Sequence, residues 1–577
     1  MSNRRAHRWL ASLAMAQALT SMAASQPPPL PPCAPALSVT DVERRFRFER
    51  DCGVAPAQIQ RFLADAGRAA RRAHLSGSQR VALAKAANVI FATVPAVPLE
   101  AAAPIVLALA AQSTREDDVD FVTLAHDWND RYGLLLRRLR VLRTDDPLEP
   151  QVDAAVAALD LDAAAKLLAS ELEEPGAPND LIAARSLEAG IVEWLRFFPK
   201  RALTFIRIAH VLRPDDLDIA DLYGDLLVEA RLFEQAQPVY ESLVLRYQVL
   251  AHSKPERWQR RFARALSKLG GLYAALTLPA DAEMADLHAL GMYWELARAQ
   301  PERFGPAVAD LLQALAGLYR DADRPDDAID AYREALKLER ALAQHDAPGY
   351  TPDLATTLNN LGVLYATAHR AGEAQSAYAE ALALQRALVQ DNALAYRPAL
   401  ARTLNNLGNF YSDAGQYAQA EQAYEEALSI RRRLALESPV RGGPDVARTL
   451  TNLGVLYRRE GRTSSAEQAY RQALRTLDPL ERAAPGAFDA DRARTLNNLG
   501  VLLAKMHRRR EAADAYRHAI ALYGPLTKKD PATYRGDYVR VLGNLAKLYG
   551  EMGRKRDAQA MLQAAAKLRQ EAAARSP

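Results

Sequence analysis

Leu358-Asn359-Asn360-Leu361-Gly362-Val363-Leu364-Tyr365 decides the reading of this chain, because the same eight-residue phrase returns at a fixed interval. LNNLGNFY begins at Leu404, LTNLGVLY at Leu450, LNNLGVLL at Leu496 and LGNLAKLY at Leu542, each 46 residues after the last. The same step taken backwards meets LQALAGLY at Leu312, LSKLGGLY at Leu266 and ADLYGDLL at Ala220; SLEAGIVE stands 34 residues earlier, at Ser186. Self-similarity at such a period marks a stack of supersecondary units, each of which buries its apolar face only against its neighbours.

A second mark follows the first at constant distance. Sixteen residues after each start stands an alanine: Ala202, Ala236, Ala282, Ala328, Ala374, Ala420, Ala466, Ala512 and Ala558. Four residues later comes Tyr240, Tyr332, Tyr378, Tyr424, Tyr470 or Tyr516. Spacings of three, four and seven lie on one helical face, and a break near Gly372, Gly415, Gly461 or Gly553 separates two helices. Each unit is thus predicted to be a helical hairpin. Alanine lets its helices approach closely, and tyrosine is expected to fill the wedge between hairpins with its hydroxyl in water.

These positions resemble the tetratricopeptide repeat, with Leu361, Gly362, Tyr365, Ala374 and Tyr378 filling the places of its W-x2-L-G-x2-Y…A-x3-F pattern and leucine replacing the first aromatic. The resemblance covers about residues 186–575, in about nine units. The 46-residue period departs from the 34-residue form. Pro255, Pro301, Pro439, Pro485 and Pro531 stand 35 residues into their units, whereas Pro214 stands 28 into its own, so the second helix is predicted to be longer by seven residues, about two turns. The remaining excess is assigned to the loop and the start of the next helix. An aromatic eight residues before the phrase (Trp258, Phe304, Tyr350, Tyr396, Phe488, Tyr534), replaced by Gly442 before Leu450, reads as packing at the loop end. Long units with LNNLG and EQAYEEALSIRRRL are similar to the kinesin-light-chain-like branch. The implied fold is all-α, a tetratricopeptide-repeat solenoid with an N-terminal helical region.

Composition agrees with one long repeat object. A chain of 577 residues, 49% hydrophobic and 25% charged, buries a large core. Its 22 tyrosines against 13 phenylalanines are explained by the two repeat positions that favour tyrosine. A net charge of +4 is too small to imply nucleic acid, and the Asn-rich stripe described below disfavours RNA. Two cysteines, Cys33 and Cys52, exclude a CxxC site; they close a short loop in an oxidising compartment or stay as thiols in a reducing one.

The N-terminus reads as an address. Arg4, Arg5 and Arg8 precede an apolar run from Trp9 to Met22, and Ser21 and Ala23 supply small residues for cleavage after Ala23. Residues 1–23 are therefore assigned to a signal peptide, 24–40 to a Pro-rich linker, 41–185 to a helical N-terminal region and 186–577 to the repeats. This implies a periplasmic or secreted protein, with a cytoplasmic one as the alternative. In the N-terminal region, Ala86 to Ala111 is apolar but is interrupted by Pro95, Pro98, Glu100 and Pro104, so packed helices are expected rather than an integral membrane span. Tyr132–Thr144 reads as an amphipathic helix that caps the first repeat.

No phosphate-binding loop, nucleophile elbow, HExxH helix or dinucleotide glycine pattern occurs. His126, Asp127, Asn129 and Asp130 are read as an exposed helix face, and Asp321, Asp323, Asp326 and Asp327 as a turn lacking the last glutamate of a calcium loop. No catalytic residue, metal or cofactor is assigned. The alternative keeps residues 41–185 as an effector or enzymatic module that the repeats recruit.

The candidate site is instead a stripe. Asn360, Asn406, Asn452, Asn498 and Asn544 stand two residues after each phrase begins, and Arg402, Arg448, Arg494 and Arg540 two residues before it. Positions four apart share a helix face, so four units present an Arg–Asn pair in one orientation. Amides donate to and accept from a peptide backbone, and guanidinium forks pair with carboxylates. The resemblance implies a groove for a protein partner with an extended, acidic segment. The competing reading makes the asparagines a ladder between repeats and pairs the arginines with Glu421, Glu425 or Glu467. Self-association through Arg554–Arg575 is left open.

Overall fold

The computed structural model describes residues 36–37, 46–47, 128, 131–133, 135, 149–172, 178–345, 347–391, 393–437 and 439–573. The expected signal segment, most of the linker, both cysteines, the apolar run Ala86–Ala111 and the polar group around His126 lie outside the described residues. Two compact units divide the chain, residues 1–368 with 390–394, and residues 369–389 with 395–577.

The first unit carries α1 (Glu149–Ala157), α2 (Leu161–Leu172), α3 (Asn179–Leu195), α4 (Pro199–Leu212), α5 (Leu217–Glu229) and α6 (Phe233–Ser253). It continues with α7 (Pro255–Ala275), α8 (Pro279–Ala299), α9 (Pro301–Asp321), α10 (Pro325–His345) and α11 (Ala347–Thr367). A two-residue antiparallel pair, Ala36–Leu37 with Phe46–Arg47, precedes them, in a region whose pattern reads partly as helix. The second unit carries α12 (Ala371–Asp391) and α13 (Ala393–Asp413) apart from residues 390–394, then α14 (Tyr417–Glu437), α15 (Pro439–Arg459) and α16 (Thr463–Ala483). It closes with α17 (Asp489–Lys505), α18 (Arg509–Lys529), α19 (Pro531–Glu551) and α20 (Lys555–Ala573).

Helix starts follow local chemistry. Proline opens α7, α8, α9 and α19, where its missing N–H removes nothing the helix needs. Asp216 caps α5 by accepting from the backbone N–H of Asp218 at 3.0 Å and of Ile219 at 3.1 Å. The second helix lengthens as the proline spacing predicts, from 14 residues in α4 to 21 in α6. The rest of the excess does not form a loop. It extends the first helix from 13 residues in α5 to 21 in α7, and Lys254 alone joins α6 to α7.

The turn inside each hairpin is set by one residue in the left-handed region. Phe197, Arg231, Thr277, Asp323, His369, Gly415, Gly461, His507 and Gly553 all have φ between 56° and 82°, and all stand eleven residues after their phrase begins. This corrects one boundary: the break in the Leu358 unit is at His369, and Gly372 already lies inside α12. Leu159, at φ 58°, turns α1 into α2 in the same way, and Ala164, five residues on, is fully buried. The hairpin geometry therefore begins one helix pair before Ser186.

The repeat alanines from Ala202 to Ala512 are fully buried, and Ala558 in the last unit is partly buried. The tyrosines four residues on are also buried, and here the expectation of a hydrated hydroxyl is corrected. Tyr240 donates to Asp225 at 2.5 Å and Tyr424 to Asn409 at 2.7 Å, while Tyr332 accepts from Asn360 at 3.3 Å. A buried hydroxyl needs a partner, and polar residues of the first helices supply it at these three positions, whereas the Tyr470 hydroxyl is buried without one.

Ahead of these hairpins, Trp128 is buried, stacks on Tyr132 at 5.1 Å and donates its indole N–H to the Leu195 carbonyl at 2.9 Å. Arg131 lies 3.5 Å from the centre of the Trp194 ring and pairs with Glu229. These contacts lie against α3, and most of the expected capping helix Tyr132–Thr144 lies outside the described residues.

Candidate functional site

Eight of the nine stripe residues belong to the second unit. Arg402 and Asn406 lie on α13, Arg448 and Asn452 on α15, Arg494 and Asn498 on α17, and Arg540 and Asn544 on α19. Asn360, on α11, belongs to the first unit, where it donates to Tyr332. Buried neighbours along each helix leave this stripe on the accessible side. The residue before the phrase is a threonine in three of these units (Thr403, Thr449, Thr495) and Val541 in the fourth, all fully or nearly fully buried, and the leucines that begin three of the phrases (Leu404, Leu450, Leu542) are likewise buried.

Among the described residues, the four arginines do not bond to the acids of neighbouring second helices. Glu421 accepts from Arg462 at 2.8 Å and Glu467 from Arg508 at 2.6 Å, and these pairs join consecutive repeats elsewhere on the fold. The arginines of the stripe instead meet an aspartate three residues earlier on their own helix. Arg448 stands 3.4 Å from Asp445, Arg494 stands 3.0 Å from Asp491, and Arg540 pairs with Asp537. Asp491 also reaches Arg448 of the preceding repeat at 3.8 Å. Arg402 has Ala399 at that place; it is exposed and, among the described residues, has no ion pair. The side chains of Arg448, Arg494 and Arg540 remain 44%, 33% and 58% exposed, so these are surface pairs worth little and readily exchanged for another carboxylate.

The asparagines do form a ladder. Asn452 donates to Asn405 at 3.2 Å and to Asn409 at 3.3 Å, and Asn544 donates to Asn497 at 2.9 Å. Asn405 and Asn497 are buried, whereas Asn406, Asn452, Asn498 and Asn544 are half-buried. The ladder engages N–H groups of Asn452 and Asn544. Asn544 keeps a second N–H and its carbonyl oxygen, and Asn452, both of whose N–H groups are engaged, keeps its carbonyl oxygen; such groups are the complement of a peptide backbone.

One contributor escapes sequence reasoning. Arg431, on α14, is 5% exposed and lies behind the stripe. It donates to Thr449 at 2.6 Å, to the Asp445 carbonyl at 3.2 Å and to Asn405 at 3.3 Å, with no carboxylate paired to it among the described residues. Burial pulls its pKa down from the ordinary arginine value. A guanidinium remains charged even so, and its charge adds to the positive potential of the face. The corresponding positions of other units hold Tyr247, Glu339, Gln385 and Leu477, so periodicity gave no signal for it.

Models of the tetratricopeptide repeat match residues 309–342, 354–392, 383–433, 400–478, 492–524 and 539–571. The repeats are tetratricopeptide repeats. The chain is an all-α tetratricopeptide-repeat solenoid built of consecutive packed helix pairs. No curated protein matches the chain. Among solved structures it is similar to BtubC (BKLC) from P. vanneervenii, at 23% identity over 44% of this chain and 94% of that one, with a TM-score of 0.37. It is also similar to the apo form of the quorum sensor NprR from B. thuringiensis, at 15% identity over 66% of this chain and 97% of that one, with a TM-score of 0.42. Among the described residues, no helix is long and apolar enough to cross a membrane.

Proposed function

We propose that this chain is a non-enzymatic interaction scaffold whose last four repeats bind an extended, acidic segment of a protein partner. Tetratricopeptide arrays present extended binding surfaces rather than reaction centres, which supports the scaffold reading. The observation that carries the peptide is the accessible row Arg402, Arg448, Arg494 and Arg540, in which Arg402 is unpaired among the described residues, the other three meet only partly exposed aspartates of the first helices, and the buried Arg431 lies behind. An incoming carboxylate replaces those aspartates, while the asparagines bond the peptide backbone without reading its sequence. The 46-residue units and the LNNLG phrase support a place in the kinesin-light-chain-like branch.

The test is titration of the full chain with a fluorescent acidic peptide. Arg448→Glu combined with Arg494→Glu is expected to weaken binding at least about a hundredfold, since each lost charge-assisted contact is worth about 1.5–3 kcal/mol. Asp491→Asn, which frees Arg494 and removes one of the two aspartates beside Arg448, is expected to tighten it. Undiminished binding by the double arginine variant removes the proposal.

A further inference from the structure

A cavity of about 430 Å³ opens among α18, α19 and α20, at the last helix pair of the array. Its polar lining carries Lys528, Arg535 and Lys567 against one carboxylate, Glu571. Ala564, Lys567, Leu568 and Glu571 fall at helical spacing, so one face of α20 is turned to the cavity. None of the three cations makes an ion pair among the described residues, whereas Arg508, Arg517 and Arg554 nearby are all paired with acids.

Two buried donors at the same place also lack acceptors. The Nε–H of Arg535 is buried without a partner, and so is the hydroxyl of Thr527, a residue only 6% exposed. Burial raises the pKa of Tyr538, another lining residue, so its phenol stays protonated and able to donate. A buried unsatisfied donor costs about 1–3 kcal/mol, and two beside three unpaired cations describe a place made for an acceptor-rich anion.

The net charge of the lining is two positive, which selects the anion. A carboxylate offers one negative charge, while a phosphate monoester carries about 1.5 to 2 and three strong acceptor oxygens. The remaining walls are apolar, formed by Leu568, Ala564, Pro531 and the Tyr538 ring. A volume of about 430 Å³ lies in the usual range of small-molecule sites, roughly 300–1,000 Å³, and exceeds what a phosphoryl group fills. One repeat earlier, the register puts Glu481, Asp489 and Ala521 where Thr527, Arg535 and Lys567 stand, so the feature belongs to the last repeat alone of this pair.

We propose that this cavity binds a phosphate monoester, its phosphoryl oxygens held by Lys528, Arg535, Lys567 and Thr527 and its organic body set against Leu568 and Tyr538. Calorimetric titration of the full chain with phenyl phosphate, inorganic phosphate and benzoate tests it. Phenyl phosphate is expected to bind saturably at one site, inorganic phosphate more weakly and benzoate at least about tenfold more weakly, for want of the second charge. Lys567→Glu, at an exposed position, is expected to weaken phenyl phosphate at least about tenfold, the worth of one charge-assisted hydrogen bond, with thermal unfolding unchanged. Lys567→Arg is expected to retain binding. Absence of saturable binding, benzoate binding as tightly as phenyl phosphate, or a Lys567→Glu chain that binds like the parent would each overturn the assignment. Inorganic phosphate binding as tightly as phenyl phosphate would overturn the organic body and assign the site to free phosphate.

Discussion

Gly454 lies flat against the ring of Tyr470, so close that a Cβ at Gly454 would stand 2.5 Å from the ring carbon Cε1. The same contact joins Gly224 to Tyr240, Gly408 to Tyr424 and Gly500 to Tyr516. It is made within one hairpin, between the glycine of the repeated phrase and the tyrosine sixteen residues later. The tyrosine therefore seals its own hairpin as well as meeting the next one.

Gly454→Ala is accordingly expected to destabilise the fold by about 1–3 kcal/mol through overpacking, although alanine is the better helix former. At Gly271, in α7, a Cβ would meet nothing within 4 Å. Gly271→Ala is expected to stabilise by about 1 kcal/mol, the difference in helix propensity. Urea midpoints followed by circular dichroism should move in opposite directions for the two variants.

Thr277 holds φ at 59°, a conformation its branched Cβ opposes. The same turn position is glycine in three other repeats. Thr277→Gly is expected to stabilise by about 1 kcal/mol, and Gly461→Ala to destabilise by a similar amount, because left-handed backbone costs about 1–2 kcal/mol for an L-residue. Comparison of thermal midpoints checks both.

Glu339, 1% exposed, carries a carboxyl pushed up to about 7 by burial, with Asp353 and Asp310 adding repulsion. Its Oε1 accepts from Gln313 at 2.6 Å and from Thr357 at 2.9 Å, and its Oε2 has no partner. A carboxyl whose pKa is higher folded than unfolded binds its proton more tightly in the native state. Its contribution is then full below the unfolded value of about 4.5 and is lost as pH rises through about 7. Glu339→Gln, which never ionises, is expected to be more stable than the parent at pH 8 by on the order of 2 kcal/mol and equal to it near pH 4. Denaturant midpoints of both proteins across that range are the measurement.

What the sequence made legible was whatever repeats. The period, the helix pairs, the alanine contact and the longer second helix all follow from positions that recur, and the four-residue spacing alone puts each Arg–Asn pair on one helix face. Features that vary from unit to unit were not legible. The turn residue is glycine at Gly415, Gly461 and Gly553 but Phe197, Thr277 or His369 elsewhere, because packing of the two helices imposes the left-handed conformation whatever the side chain. Arg431 was hidden for the same reason, since its counterparts share burial and not chemistry. The own-helix aspartates do not recur in every unit, Ala399 standing in that place before Arg402, so the repeat pattern gave no signal for them.

Lys254 alone joins α6 to α7, and Gln300 alone joins α8 to α9. Such joints have no slack, and one inserted residue would rotate the following helix by about 100° and displace its buried face. Between α16 and α17 the chain instead runs through five non-helical residues, Ala484 to Phe488, with Gly486 at φ 83°, and α17 is 17 residues long where α15 and α19 have 21. That segment is the natural place to graft an epitope or fluorophore, because added length there is taken up as loop and leaves the angular phase of every helix intact.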